Sequence, residues 1–161
     1  MSDADPEVYS IKFSGKVLNR GFWLYVIDVR SRQGRHLYVG RTGDSSSSNA
    51  GSPFSRIGQH LDSRPNAKGN ALARNLRQAG VEPALSSMEM IAVGPLFPEE
   101  REFGAHRPVR DQVAALEHGL AGALRGQGYS VLGRHSAPCE PNGARLKAIV
   151  RLVTDRLAEN S

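Results

Sequence analysis

The chain has 161 residues, 39% of them hydrophobic and 23% charged, the profile of one soluble globular domain large enough to bury a core. No apolar run approaches the roughly 20 residues of a membrane helix. The acidic start MSDADPE is not a signal peptide, and a lone Cys139 excludes an internal disulfide or a cysteine-rich zinc site, so a reducing cytoplasm is the expected compartment.

The formal net charge of +5 is unevenly spread. Residues 12–77 carry 12 Lys/Arg against Asp28, Asp44 and Asp62, whereas residues 78–161 carry 9 bases and 10 acids. A basic half suits a polyanion, because Lys and Arg that neutralise phosphates release condensed counterions.

Residues 1–7 are expected to form a disordered tail, with a single domain over 8–161. Val8–Val17 alternates loosely and predicts an edge strand, with Lys12 and Lys16 discouraging unwanted pairing. FWLYVIDV (Phe22–Val29) is β-branched and aromatic and predicts a central strand. A turn around Gly34 then leads into HLYVGR (His36–Arg41), completing a hairpin. Alternation lets Tyr25 and Tyr38 share a face if the register is suitable.

Thr42–Pro53 is a Gly/Ser-rich loop without the Gly-Lys-Ser/Thr of a nucleotide-binding loop, so no nucleotide cofactor is expected. A helix is predicted from Pro53 or Phe54 to about Ser63, with Ile57 and Leu61 inward and Arg56 and His60 on the neighbouring i,i+4 ridge. Asn70 caps a second helix that stops at Gly80, with Leu72 and Leu76 inward and Arg74 and Arg77 outward. Leu85–Val93 is a third strand, and Gly94–Arg107 reads as an irregular acidic insert. A long helix is predicted from near Pro108 to Gly126 or Gly128, with Val113, Leu116, Leu120 and Leu124 apolar. GYSVLGRHSAP is a short extended return. An amphipathic helix over 142–159 presents Leu146, Val150, Val153 and Leu157.

Glu117 breaks the pattern, because it falls on a stripe with Val113, Leu120 and Leu124. A carboxylate buried there must be protonated, paired with an arginine or bound to a metal. One carboxylate can hold magnesium, which keeps most of its waters and takes phosphate oxygens as further ligands. That chemistry suits phosphodiester hydrolysis, with Arg56 steadying phosphate oxygens through its planar fork and His60 suited by its intrinsic pKa to accept a proton. Packing alone would also account for either tyrosine, and a surface role for Arg56 or His60.

Taken together, these residues resemble the GIY-YIG nuclease superfamily. Trp23-Leu24-Tyr25 stands where that family has Gly-Ile-Tyr, and Tyr38-Val39-Gly40 where it has Tyr-Ile-Gly. Arg56 and His60 in RIGQH look like its arginine-bearing first helix, and Glu117 in AALEHGL like its metal-binding glutamate. The resemblance covers roughly Phe22 to His135.

It implies an α/β (α+β) domain with a core over 22–135. A small antiparallel three-stranded sheet flanked by helices would carry an added N-terminal strand and C-terminal helix. It also implies one Mg2+ or Mn2+ at Glu117. Tyr25, or else Tyr38 or His60, would activate water, Arg56 would steady the scissile phosphate, and duplex DNA would be the partner. Arg41, Lys68, Arg74, Arg77, Arg134 and His135 are the candidate nucleic-acid contacts. Trp23 replaces the family's first glycine, and Gly133 stands where it has an asparagine. The competing expectations are a nucleic-acid-binding module of the same fold without catalysis, and a basic protein that meets an acidic partner.

Overall fold

A computed structural model describes residues 4–44 and 49–161. The run FWLYVIDV forms the heart of strand β1 (Phe22–Ser31), buried on both faces from Phe22 to Val29. The hairpin partner is β2 (Gly34–Arg41), and both elements lie where their composition places them. The chain continues through α1 (Pro53–His60), α2 (Ala71–Gln78), β3 (Ser87–Phe97), α3 (Phe103–Gly126), β4 (Val131–Leu132) and α4 (Gly143–Glu159). The molecule is α+β, with a four-stranded mixed sheet in the order β3-β1-β2-β4. β1 runs antiparallel to β2 and β3, and β4 adds in parallel to β2.

Helices on both faces explain why β1 is continuously apolar rather than alternating. One face packs Phe22, Leu24, Val26, Leu37 and Val39 against α3 and α4, through Leu116, Leu120, Leu124, Val153 and Leu157. The other packs Tyr25, Ile27 and Val29 against Leu72 and Leu76 of α2, with Ile57 and Leu61 half-buried at its edge. Each fully buried leucine contributes about 1.5–3 kcal/mol relative to exposure. On α4 the buried row is Ile149, Val153 and Leu157, with Leu146 and Val150 half-buried beside it.

Four expectations are corrected. Val8–Val17 forms no strand: Val8, Tyr9 and Ile11 are exposed, Ser14 caps a single 3-10 turn at Gly15–Leu18, and Phe13 rests on Phe54. The first helix ends at His60 rather than Ser63. β3 reaches Phe97, because Gly94 lets the strand lie against Trp23; a Cβ there would sit 2.8 Å from the indole. α3 starts at Phe103 with Pro108 in its second turn, anchored by the buried His106. A proline there forfeits one helical hydrogen bond, and its fixed φ is already helical. Met1–Asp3 of the expected tail and Ser45–Ser48 of the loop lie outside the described residues. Among those described, no helix is long and apolar enough to cross a membrane.

Candidate active site

The β1–β2 register sets the two tyrosines. Tyr25 lies opposite Gly40 and Ile27 opposite Tyr38, so both phenols stand on the α1/α2 face, one diagonal step apart. The glycine of Tyr38-Val39-Gly40 is required by this arrangement: a Cβ at Gly40 would come within 2.4 Å of the Tyr25 ring.

α1 enters through Ser52, whose Oγ accepts from the Ser55 N–H at 3.2 Å, with Pro53 in its first turn. Its last residue, His60, is 3% exposed and sets Nε2 2.6 Å from the Tyr25 hydroxyl. The Tyr38 ring meets the same imidazole edge-on, at 5.1 Å between centroids. One turn earlier, Arg56 donates from Nη2 to Asp44 at 3.0 Å and from Nη1 to the Gln59 Oε1, while its buried Nε has no partner among the described residues.

Glu117 is 14% exposed and accepts at Oε2 from the Arg41 Nε at 2.8 Å. The carboxylate on that stripe is paired with an arginine. Arg41, at the end of β2, thus stands inside the candidate site, 20% exposed and with a buried Nη1 that has no partner among the described residues. Oε1 of Glu117 accepts no hydrogen bond among the described residues. β4 covers β2 only at Leu37 and Tyr38, and beyond them His135 occupies the Val39 carbonyl on that edge.

Burial dominates the electrostatics. It pushes the Tyr25 hydroxyl well up, against the pull of Arg56, and raises Tyr38 to about 12 with help from Glu117. It lowers His60 to about 4, with Arg56 adding to the effect. It raises Glu117 to about 7, against Arg41 and Arg56 and with Asp44. At neutral pH the phenols and the imidazole are uncharged, and Glu117 is half-ionised. The mutual influence of Glu117, Tyr38 and Arg56 places them in one electrostatic neighbourhood.

No group of three or more His, Cys, Asp or Glu side chains gathers among the described residues. A lone carboxylate with one oxygen free still fits a hard divalent cation that keeps its waters, provided Arg41 yields. Burial that disfavours negative charge at Glu117 is what a cation would relieve.

Of the remaining candidates, Lys68, Arg74 and Arg77 are exposed and line one groove, and Arg134 is exposed on the return segment. His135 is half-buried: its Nε2 donates to the Val39 carbonyl at 2.9 Å, so it braces β2, and burial lowers its pKa. Gly133 takes a positive φ of 85°, and the Asn75 amide of α2 lies 3.5 Å from where its Cβ would project, beside the Tyr38 ring.

Three further residues escaped the sequence reading. Asp44 was visible only as the sole acid between Asp28 and Asp62. Thr42, 1% exposed, accepts the Trp23 N–H at 2.8 Å and fixes the start of the loop. His106, fully buried between Phe22 and Phe103, donates from Nε2 to the Gly43 carbonyl at 3.2 Å. It thereby ties α3 to the residue before Asp44.

No protein-family model, curated protein or solved structure matches this chain. The resemblance to the GIY-YIG nucleases therefore rests on the sequence motifs alone.

Proposed function

We propose that the chain is a GIY-YIG-type endonuclease of the cytoplasm that hydrolyses DNA phosphodiester bonds with a divalent cation, Mg2+ or Mn2+. The observation that carries this reading is the 2.6 Å contact between Tyr25 and an uncharged His60, beside a guanidinium with an unpartnered Nε.

A phenol raised by burial is a poor base by itself. Tyr25 instead acts as a relay: its Oη takes a proton from the attacking water while its own proton passes to the His60 Nε2. The relay uses the imidazole tautomer with its proton on Nδ1. The water oxygen bonds to phosphorus, the bond to the leaving oxygen breaks, and that oxygen takes a proton from solvent. The proton on His60 Nε2, which burial and Arg56 disfavour, returns through the Tyr25 hydroxyl to solvent and restores the uncharged imidazole. Arg56 and Arg41 place two guanidinium charges beside the non-bridging oxygens as negative charge builds there. A divalent cation at Glu117 would offset charge on the leaving oxygen. Asn75 supplies an amide close to the place where the family has its asparagine.

Nicking of supercoiled plasmid in Mg2+ tests this. Tyr25→Phe and His60→Ala are each expected to lose roughly 10²–10⁴ in rate, the span of a positioned proton acceptor, with DNA affinity kept. Wild-type rates in either variant would remove the relay. The second reading, a DNA-binding module without catalysis, is favoured by Gly133 and by the Arg41–Glu117 pair. It expects binding and no cleavage in any divalent cation.

A further inference from the structure

We propose that the groove between the Ser63–Gly69 turn and α2 is a separate, non-catalytic subsite that holds the sugar–phosphate backbone of double-stranded DNA beside the cleaved bond. Its location beside a cleaved bond rests on the nuclease reading; its binding chemistry does not.

The groove encloses about 540 Å³ and is lined by Arg64, Lys68, Arg74 and Arg77, with no acid in its wall. Asp62, at its rim, holds Arg64. Lys68, Arg74 and Arg77 form no ion pair among the described residues, so three cations face one concavity without a counterion. Arg74 and Arg77 lie three residues apart on one helical ridge, spacing that offers successive cations to a chain of phosphates.

The turn is held in shape rather than loose. Ala67 N–H donates to the Arg64 carbonyl at 3.1 Å, Asn70 Nδ2 to the Asp62 carbonyl at 3.2 Å, and Gln59 Nε2 to the Lys68 carbonyl at 3.4 Å. Gly69, at a φ of 74°, makes the reversal. The groove also adjoins the candidate site: α2, which carries Arg74 and Arg77, packs its Leu72 and Leu76 into the cluster that holds Tyr25 and Tyr38.

The wall specifies the form of the ligand. Unpaired strands are gripped by aromatic rings on which bases stack. No aromatic side chain lines this groove; Pro65, Ala67 and Gly69 are its small apolar members between the cations. Such a surface reads backbone charge and carries no sequence information. A stacked duplex supplies that backbone without requiring the bases to find partners.

The test measures binding alone, in the full chain carrying Glu117→Gln. Affinities for a 20-bp duplex and for a single strand of equal length are followed from about 50 to 300 mM salt. Arg74→Gln/Arg77→Gln is expected to flatten the duplex slope of log K against log salt by about 2, and Lys68→Gln by about 1. Arg151→Gln, on the far exposed surface of α4, is expected to change neither. An unchanged slope in the double variant, an equal loss in Arg151→Gln, or single-strand binding at least as tight as duplex binding would each overturn the proposal. Absence of cleavage by the wild-type chain, with these slopes intact, would sink the nuclease reading and leave the groove standing.

Discussion

Glu117 and His60 are held in forms that solvent would not choose, and their penalties run in opposite directions with pH. The Glu117 carboxyl, raised from 4.5 to about 7, favours the folded state fully below pH 4.5, and that contribution is lost as pH rises to about 7. His60, lowered from 6.5 to about 4, gives stability present above pH 6.5 and lost as pH falls to about 4. Glu117→Gln cannot ionise, so it is expected to equal the wild type near pH 4.5 and to exceed it by roughly 3 kcal/mol at pH 8 in urea unfolding. Added Mg2+ is expected to raise wild-type stability at pH 7.5 and to leave Glu117→Gln unchanged, since only a cation that binds the folded state stabilises it. Equal stability of the two chains at pH 8 would mean that burial is not straining this carboxylate.

At the scale of elements, a part-buried ion pair within the hairpin holds the guanidinium that ties it to α4. Asp28, 2% exposed, takes Arg35 at 2.9 Å through both oxygens, and Arg35 also donates to the Leu157 carbonyl at 3.2 Å. Asp28→Ala leaves that guanidinium without its counterion and is expected to cost about 3–5 kcal/mol in chemical denaturation. Gly40→Ala is expected to cost about 1–3 kcal/mol, because its Cβ must displace the Tyr25 ring. That displacement should also part Tyr25 from His60 and lower nicking as Tyr25→Phe does; a stable, fully active Gly40→Ala would contradict the packing described.

The elements legible in the sequence were those whose signal is local. β1 and β2 follow from aromatic and β-branched runs around Gly34, and α2 and α4 from their apolar periodicity. The early start of α3 was hidden because Pro108 reads as a first-turn residue, while the force holding the preceding turn is the burial of one histidine. β4 has two residues and exists only because β2 offers an edge. The N-terminal arm has strand-like alternation and no strand, since pattern does not supply a partner.

Across the whole molecule, the candidate site was legible in its members and not in their pairings. The Glu117 stripe announced a buried carboxylate, but its counterion lies 76 residues away at the end of another element, and no sequence period reports that. Asp44, Asn75 and His106 act through partners distant in the chain, Asp44 by its ion pair with Arg56 and His106 by its bond to the Gly43 carbonyl, and stayed invisible for the same reason. A basic protein that meets an acidic protein partner would give no steep loss of duplex affinity with salt, whereas the present account requires one.

The most direct test of the central claim is single-turnover cleavage of a duplex by the intact chain in Mg2+, compared with Glu117→Gln and Arg56→Ala. The account predicts strand scission by the wild type, and loss of scission in both variants with duplex binding retained by Glu117→Gln. Undiminished cleavage by Glu117→Gln, or none by the wild type in Mg2+ or Mn2+ at a concentration that saturates DNA binding, would contradict it.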